Sequence, residues 1–465
     1  MTRYAFSLFL LLLCSGYRAS AQIVTYPVPR ELYYAMHNDD YTVTVRPLGS
    51  REWIDLYEYK IKVDMDTQSD ASFVQFDFNG KVEIRVQKNN GDVRYVKIRP
   101  LSKDIKSELK GTVVKFVLDH PEDLSVEFNN DRLHNLHLFT NPIEKNRPHK
   151  GDKNVMYFEA GIHEPTNKDK DFRIPSNTTV YLEPGAFLKG GITCDSVENV
   201  KIIGRGCLLT PQEGVKISFS KNILIDGLTA IDPRHYTVFG GQSQNITIKH
   251  LRSFSYQGWS DGIDMMCCHK VLVDSVFMRN SDDCIAIYNH RWQYYGGTDN
   301  IEVRNSTLWA DVAHPINIGG HGNPDAIPGE TMENVWIHNV DILEEDEDDP
   351  PYEGCMAVDA GDRNLLKNIR FENIRVENIQ EGCLFYLKVR FNDKYDKQPG
   401  RGIEDIVFKN IVYNGQNESL SVIKGFDETR KIKNVLFDNV LINGIKMKGF
   451  ENFSKNDFLE NVRFK

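Results

Sequence analysis

One short motif recurs ten times between residue 199 and the end of the chain, and it constrains the fold more than any other feature. An Asn, replaced by Lys or Asp in two copies, precedes a strand-like run of alternating apolar residues. Successive copies begin 23 to 37 residues apart, at residues 199, 222, 245, 270, 300, 334, 368, 405, 434 and 461. Such a unit cannot bury its own apolar face, so neighbouring units must stack. The repeat predicts an all-β fold, a right-handed parallel β-helix with one motif per rung.

The spacing of the motif also excludes other repeat architectures. A β-propeller needs four strands in each repeat, and these steps are too short and too uneven for it. Asn suits tight turns because it tolerates left-handed backbone. The loops lengthen between residues 270 and 405. Insertions in a solenoid collect on one face, so we expect that face to bind the ligand.

The preceding part of the chain, residues 22–150, is predicted to form a separate small β-sandwich. Runs at residues 41–45, 82–86 and 124–128 alternate apolar and polar residues, and turn signals separate them. We find no chemical constellation in it and expect it to cap or flank the solenoid, or to bind carbohydrate. A linker at residues 141–154, rich in Pro, Lys and Asn, leads into the β-helix, which is assigned to residues 151–465.

Residues 1–21 have the pattern of a secretory signal peptide. Arg3 precedes a short apolar run, and Ala19-Ser20-Ala21 matches a cleavage site that leaves Gln22 as the first mature residue. A lipoprotein signal ending at Cys14 is the alternative. No later stretch reaches the ~18 apolar residues of a membrane span. The protein is therefore expected to be secreted or periplasmic and not stably inserted in a membrane.

Composition narrows the classes of partner. The net charge is −10 and the basic residues form no stripe, which argues against a nucleic-acid partner. The seven cysteines after the signal contain no C-x-x-C pair and mostly lie in strand-like segments, so we interpret them as buried apolar residues, with one disulfide left open. The acidic run at residues 344–349 is interpreted as a solvated loop, with a calcium site as the alternative. We expect a monomer without a cofactor or metal.

Three polar islands interrupt the strand-like sequence between residues 259 and 322. They are SDGID (260–264), NSDDC (280–284) and AHPINIG (313–319). Asp261, Asp282, Asp283 and His314 fall 12 to 16 residues after the start of their repeats, which places them on successive rungs, about 4.8 Å apart. Carboxylates this close repel one another and should keep at least one proton at neutral pH. We interpret Asp264 as a turn residue only.

Residues 155–465 resemble the parallel β-helix glycoside hydrolases of the polygalacturonase and dextranase/isopullulanase clan, which share a pectin-lyase-like solenoid. WSDGID (259–264), DDC (282–284) and AHPINIG (313–319) resemble the polygalacturonase motifs NTDGxD, DDC and GHG, the last with both glycines replaced. The resemblance implies that Asp282 is the general acid and that Asp261 and Asp283 position and activate water. It also implies that His314 supports the protonation of the acid and that the reaction inverts, with acid and base ~6.5–9.5 Å apart.

The fourth polygalacturonase motif, Arg-Ile-Lys, which holds the substrate carboxylate, is missing. The equivalent stretch, residues 354–359, ends at Asp359, which we expect to contact the substrate. The loss favours a neutral sugar and the dextranase side of the clan, although Lys388 or Arg390, one rung later, are candidate replacements. The remaining substrate-binding candidates lie in the loops around the islands, where aromatic rings either stack on sugar or pack the loop. They are His235, Arg291, Trp292, Tyr295 and His321.

Three functions are compatible with these features. The first is a secreted, inverting glycoside hydrolase acting on an α-linked polysaccharide or oligosaccharide. The second is a polysaccharide lyase on the same fold, which needs a uronate substrate and a strong base. The third is a non-catalytic β-helix that binds glycans. The carboxylate cluster and its histidine fit the hydrolase best.

Overall fold

The computed structural model describes residues 21–347, 349, 354–391 and 394–465. The predicted signal peptide lies outside these residues except for Ala21. Strands dominate the described chain, and its two short 3-10 turns are Leu101–Lys103 and Phe450–Asn452. Within these residues, no helix has the length and apolar character needed to span a membrane.

The second part of the chain is a parallel β-helix built from three ladders of stacked strands, here named A, B and C in chain order within a rung. The strands of ladder A are Val155–Phe158, Thr179–Leu182, Glu198–Gly204, Lys221–Asp226, Gln244–Lys249, His269–Asp274, Thr298–Arg304, Thr331–Glu344, Leu365–Val376, Gly402–Tyr413, Ile432–Ile442 and Leu459–Phe464.

Ladder B follows ladder A after a short bend. Its strands are Gly161–His163, Ala186–Leu188, Cys207–Leu209, Thr229–Ile231, Arg252–Phe254, Phe277–Asn280 and Thr307–Ala310. From Thr331–Glu344 to Ile432–Ile442, one long strand in each rung continues ladder A into the position of ladder B.

Ladder C closes each rung and forms the third face. Its strands are Asp171–Arg173, Gly191–Asp195, Val215–Ser218, Val238–Gly241, Ile263–Met266, Ile285–Tyr288, Ile316–Gly319, Met356–Ala360, Phe385–Val389, Ser421–Lys424 and Phe453–Lys455. Two further short pairings lie outside the ladders. A hairpin joins His290–Arg291 to Tyr294–Tyr295, and Ile445–Lys446 folds back on the ladder A strand Ile432–Ile442.

The recurring Asn positions take the backbone conformation expected of them. All ten motif starts, the Lys and Asp copies included, have φ between 52° and 60°. Their side-chain amides also bond along the solenoid, as when Asn222 Nδ2 donates to Asn199 Oδ1 at 2.8 Å. Inward-facing apolar residues of all three ladders form one continuous core. The β-helix predicted from the repeat is thus confirmed, because each rung repeats the same turn and the same buried face.

The first part of the chain contains two packed sheets with their own apolar core. The strands of the first sheet are Gln22–Thr25, Tyr59–Val63, Ser69–Asn79, Val96–Arg99, Asp123–Phe128 and Leu136–Pro142. Those of the second are Tyr41–Pro47, Ile54–Asp55, Val82–Lys88, Ser107–Lys110 and Val113–Leu118. This arrangement is a β-sandwich, and we call it the sandwich domain.

The sandwich domain packs on the outer side of ladder B. A shared apolar cluster joins Phe73 and Phe139 of the sandwich to Phe254, Phe277 and Trp309 of the ladder. These rings stack between the two parts, as with Phe139 and Phe254, whose centroids are 5.6 Å apart. The lengthened loops mostly follow ladder C, as at residues 289–297 and 320–330, whereas the shorter turns between ladders B and C lie beside this junction.

Candidate active site

The predicted catalytic residues meet at the corner between ladders B and C. Asp261, the Asp282–Asp283 pair and His314 lie in the turns that connect these ladders in three successive rungs. Backbone bonds set their register: Gly262 N–H donates to Asp283 O at 2.8 Å, and Cys284 N–H donates to His314 O at 2.9 Å. The three islands therefore stack as their spacing predicts.

The three carboxylates converge closely. Asp261, Asp282 and Asp283 each place one oxygen within 4.8 Å of the other two. These nearest oxygens are closer together than the ~6.5–9.5 Å expected between the acid and base carboxyl groups of an inverting enzyme. Three oxygens at this spacing are also compatible with a cation ligand set.

Asp283 is surrounded by donors that hold it ionised. Its Oδ1 accepts from the His314 ring at 2.8 Å, and its Oδ2 accepts from Asn317 Nδ2 at 2.6 Å and from the Tyr288 hydroxyl at 3.3 Å. Burial opposes the charge, but His314 and these hydrogen bonds lower the pKa of Asp283 below its usual value. A buried carboxylate kept anionic in this way is suited to accept a proton from water.

The pKa of Asp282, the preceding residue, shifts in the opposite direction. Two backbone donors reach it, Trp259 N–H at 2.7 Å and Asp283 N–H at 3.1 Å. Burial and the neighbouring negative charge of Asp283 nevertheless raise the pKa of Asp282 to about 6. A carboxyl group that retains a proton close to neutral pH beside an ionised one is the arrangement required of a general acid.

Asp264 corrects one interpretation from the sequence. It is fully buried in the ladder C strand Ile263–Met266, not placed in a turn, and its side chain faces outwards between inward-facing Ile263 and Met265. Burial and the charge of Asp283 raise its pKa well above the usual value. Burial and Asp264 likewise raise the pKa of Asp261. The site therefore contains four carboxyl groups, of which Asp261 and Asp264 favour the protonated form.

His314 pairs with Asp283, the neighbour of the proposed acid. Its ring bonds to Asp283, and Glu347 Oε2 lies 3.5 Å from the same nitrogen. Burial opposes protonation, but the charge of Asp283 raises the pKa of His314 to about 9, so the ring is a cation at neutral pH. Its positive charge lowers the pKa of Asp282. His314 thus supports the anionic base and works against the protonation of the acid.

The acidic run is not a solvated loop, which corrects a second interpretation. Glu344, Glu345 and Glu347 are buried. Glu344 pairs with Arg99 of the sandwich domain at 2.8 Å. Burial raises the pKa of Glu347 to about 7 even though the neighbouring His314 lowers it. Part of this run, residue 348, lies outside the described chain.

The hairpin after Ile285–Tyr288 folds over the outer face of ladder C. Tyr294 anchors it, because its hydroxyl lies 2.6 Å from Ser218 Oγ and a Cβ added at Gly241 would lie 2.4 Å from its ring. Trp292 is 44% exposed and stacks on Tyr236 with ring centroids 5.7 Å apart. Tyr294 therefore packs the hairpin against ladder C, whereas Trp292 keeps part of its ring exposed to solvent.

The other substrate-binding candidates, in the hairpin and in the loop beside it, lie at different distances from the carboxylates. The charge of Arg291 interacts with Asp264 and Asp261, and its guanidinium bonds to the His321 ring. His235 packs on Tyr236 and lies 6.1 Å from the Trp292 ring. Tyr295 stacks on His290, and its N–H donates to Gln242 at the far end of ladder C. Arg291 and His235 flank the carboxylate corner, whereas Tyr295 does not.

His321 lies beside the catalytic cluster. Its ring packs edge-on against Tyr288, with centroids 4.9 Å apart, and Tyr288 itself donates to Asp283. Burial and the nearby Arg291 and Arg390 lower the pKa of His321 well below its usual value. It is therefore neutral, and it connects the hairpin to the site.

Asp359 and Arg390 are both buried and are paired with each other. Asp359 is fully buried, pairs with Arg390 Nε at 2.9 Å and accepts from Gly320 N–H at 2.8 Å. Arg390 is also buried and lies 3.4 Å from Asp396. Lys388 is half-buried and stands next to Asp359 in the register of ladder C. This pairing argues against Asp359 as a substrate contact and against Arg390 as a replacement cation, and both assignments remain predictions.

Sequence reasoning missed Asn317, Tyr288, Glu347 and the backbone N–H of Trp259. Asn317 carried a detectable signal, since it aligns with Asp264 and Ala286 on the outward side of ladder C. The other three depend on how loops fold over the corner. Trp259 itself is 60% exposed with a φ of 65°, an unusual backbone conformation for a bulky residue.

The chain is similar in sequence to one known protein family and to several of its relatives. The model of the family described as Glycosyl hydrolases family 28 matches residues 203–458, more than half of the chain. A probable exopolygalacturonase B from Neosartorya fischeri is 24% identical over 204 residues, which cover 41% of each chain. Isopullulanase from Aspergillus niger is 21% identical over 390 residues, or 70% of this chain and 64% of the relative. The matches thus span two fifths to two thirds of these relatives.

Two solved structures share the fold. Dex49A from Penicillium minioluteum superimposes with a TM-score of 0.66 at 14% identity, over 92% of this chain and 94% of the other. The family 28 exopolygalacturonase of Yersinia enterocolitica gives a TM-score of 0.50 at 10% identity, over 83% of this chain and 96% of the other. The first match extends over the sandwich domain as well as the β-helix.

Proposed function

Because this chain belongs to the glycosyl hydrolases of family 28, we propose that it cleaves glycosidic bonds of an α-linked polysaccharide or oligosaccharide by acid–base catalysis. One observation carries the proposal. Asp282, with a pKa of about 6, adjoins Asp283, which is held anionic, and one oxygen of each lies within 4.8 Å of the other. Two carboxyl groups with separated pKa values are the pair that glycoside hydrolysis requires.

The roles follow from the surroundings of each group. Asp282 donates its proton to the glycosidic oxygen as the bond to the anomeric carbon breaks. Asp283 accepts a proton from the attacking water, and His314 stabilises it as an anion beforehand. Asp261, with a raised pKa, orients that water by hydrogen bonding and is not the primary base. The water oxygen forms the new bond to the anomeric carbon, and the sugar leaves as a hemiacetal.

We propose that the reaction inverts the anomeric configuration. Donors on both oxygens of Asp283 weaken it as a nucleophile that must form an ester, which leaves water as the attacking group. The short oxygen separation alone would allow a covalent intermediate. Proton NMR of the first product settles the choice, since an α-linked substrate gives the β-anomer on inversion and the α-anomer on retention.

A neutral sugar is the proposed substrate at the cleavage site. The Arg-Ile-Lys motif is missing, and Arg390, one of its two candidate replacements, is buried in ion pairs with Asp359 and Asp396. One observation favours a second candidate, a uronate: Arg291 faces the carboxylate corner, and its buried Nε has no hydrogen-bond acceptor among the described residues. Substitution of Arg291 therefore tests whether the substrate is a neutral sugar or a uronate.

A long substrate fits the surroundings of the site. A cavity of about 480 Å³ lies at the same corner, in the rungs that precede Asp261. It is lined by the loop residues Lys189, Gln212 and Arg234, which connect ladders B and C one to three rungs earlier. Rungs stack about 4.8 Å apart, so a chain extending along the solenoid from Asp282 would reach this cavity. We propose that it receives further sugar units.

The test is release of reducing sugar by the purified protein from polygalacturonate, dextran, pullulan, arabinan and galactosides. We expect release from a neutral α-linked glycan and at least ~100-fold loss in the Asp282→Asn variant, with an unchanged melting temperature. Asp226→Asn, a carboxylate of ladder A paired with His250, is the matched control and should stay active.

Other outcomes identify the alternatives. Release from polygalacturonate, lost on Arg291→Gln, would replace the neutral sugar by a uronate. Ultraviolet absorbance on a uronate without hydrolysis would show a lyase. Binding of a glycan that is equal in the wild type and Asp282→Asn, without any cleavage, would show a non-catalytic β-helix.

A further inference from the structure

The sandwich domain touches the turn that carries the general acid. Its hairpin between Tyr59–Val63 and Ser69–Asn79 places Met65 against the solenoid, where Met65 N–H donates to Ser281 Oγ at 3.0 Å. Ser281 directly precedes Asp282. Among the contacts between the sandwich domain and the solenoid, this one lies next to the reacting groups.

The same hairpin also reaches the loop that hydrogen-bonds to the acid. A Cβ added at Gly258 would lie 3.6 Å from Met65 Sδ, so Met65 packs against that residue. The next residue, Trp259, donates its N–H to Asp282 at 2.7 Å. Ser281 Oγ in turn donates to Ser255 O at 3.2 Å and ties the two loops together. Met65 therefore contacts both sides of the acid.

Asp64 stabilises the turn of this hairpin and also connects it to the Ser281 turn through Arg132 and Arg279. It is buried, with a φ of 60°, and its side chain accepts from Asp66 N–H at 3.0 Å and from Thr67 N–H at 2.8 Å. Asp64 also pairs with Arg132 at 2.9 Å. The Arg132 carbonyl accepts from Arg279, two residues before Ser281, at 2.9 Å.

We propose that the sandwich domain is part of the catalytic apparatus: through Asp64 and Met65 it positions Ser281 and the Trp259 loop, and so orients Asp282. Asp64, Met65 and Ser281 are positioning residues, since none of them is required to touch the substrate. The proposal rests on the role of Asp282 in the proposed function. It gives the sandwich domain a task beyond covering ladder B.

The test compares Asp64→Ala with Asp64→Asn in the full chain. Alanine removes the acceptors of the turn and disfavours φ of 60°, whereas asparagine keeps one acceptor and tolerates that conformation. Ser102→Ala is the matched control, because Ser102 Oγ donates to Asp341 at 2.9 Å and so bonds the two domains elsewhere. Hydrogen exchange of residues 255–260 and 280–284, measured by mass spectrometry, reports on position without requiring activity.

We expect Asp64→Ala to speed exchange in both solenoid segments and to lower kcat about 10- to 100-fold, with KM changed less than about threefold. Loss of the Trp259 N–H bond would raise the pKa of Asp282, so the alkaline limb of the kcat profile should move to higher pH. Asp64→Asn should restore most of kcat, and Ser102→Ala should resemble the wild type.

A second pair of variants covers the case in which Asp64→Ala fails to fold. Ser281→Ala removes the acceptor of Met65 N–H, and Ser281→Thr keeps a hydroxyl there. The proposal is overturned if exchange in the two segments and kcat are the same in Asp64→Ala, or in Ser281→Ala, as in Ser102→Ala. A wild type without hydrolytic activity would overturn the proposed function instead, and the exchange data would still decide the positioning.

Discussion

At the scale of single residues, Asp282 and Asp283 show how adjacent identical side chains acquire different protonation states. Asp283 receives three side-chain donors, including the cationic ring of His314. Asp282 receives only backbone N–H groups and feels the charge of Asp283. The difference arises because the donors to Asp283 come from Tyr288 of its own rung and from His314 and Asn317 of the next rung.

The pKa of Asp282 predicts the pH dependence of catalysis. The general acid must be protonated, so its active form is present below a pKa of about 6 and is lost as pH rises through that value. The lowered pKa of Asp283 keeps this base ionised at pH values below the pKa of Asp282. We expect kcat/KM of the free enzyme to fall above about pH 6, measured on a small substrate at constant ionic strength. A profile flat to pH 8 would contradict the assignment.

Removal of the His314 charge should shift the pH profile of kcat/KM to higher pH. His314 lowers the pKa of both Asp282 and Asp283, so His314→Gln should raise both and shift both limbs to higher pH. Loss of one partner from this buried pair should also destabilise the fold by about 3–5 kcal/mol. His338→Gln, which removes a partly exposed partner of Glu302 in ladder A, is the control. An unshifted profile in His314→Gln would remove His314 from the mechanism.

At the scale of elements, the hairpin of residues 290–295 covers the outer face of ladder C in the rungs before the carboxylates. Its two exposed aromatic residues lie at opposite ends of that face. Trp292 packs on Tyr236, at the end that carries the carboxylates. Tyr295 lies near Gln242, across a strand of four residues, or roughly 13 Å.

This difference predicts distinct kinetic effects for the two rings. Trp292→Ala should raise KM about tenfold with kcat nearly unchanged, because an aromatic face that stacks on sugar binds ground state and transition state alike. Tyr295→Ala, equally exposed but remote, should leave both constants within about twofold. Initial rates over a range of oligosaccharide concentrations give both values. Equal effects of the two substitutions would show that Trp292 only packs the hairpin.

At the scale of the whole molecule, buried arginines join the two parts of the chain. Arg99 of the sandwich domain contacts Glu127 of its own sheet and Glu344 and Glu377 of the solenoid. From the solenoid, Arg252 pairs with Asp123, and Arg279 bonds to Asn135 and to its neighbour Asp311. These bonds are directional, so they fix the orientation of the sandwich domain beside the catalytic corner.

Loss of Arg99 should therefore destabilise the whole chain. Arg99→Met leaves three buried carboxylates without their cation, which should cost about 3–5 kcal/mol and lower the melting temperature measured by calorimetry. Lys62→Met, which breaks a largely exposed pair with Asp70, is the control and should change stability by less than about 1 kcal/mol. A small effect of Arg99→Met would mean that the apolar cluster alone holds the interface.

The sequence by itself determined the β-helix, its register and the stacking of Asp261, Asp283 and His314. These follow from a local pattern, an Asn in left-handed backbone before an alternating strand, which each rung repeats. The alternation in residues 41–128 likewise indicated the sandwich.

Only the tertiary structure decided the partners of the charged groups. Asp264 joins the carboxylates, His314 serves Asp283, and Arg390 is occupied by Asp359. The acidic run is buried, and the sandwich domain reaches Ser281. Each of these depends on side chains that lie 19 to 31 residues apart in the chain, or in the other domain. Their pairing is set by the desolvation and charge of the folded corner, which no local pattern encodes.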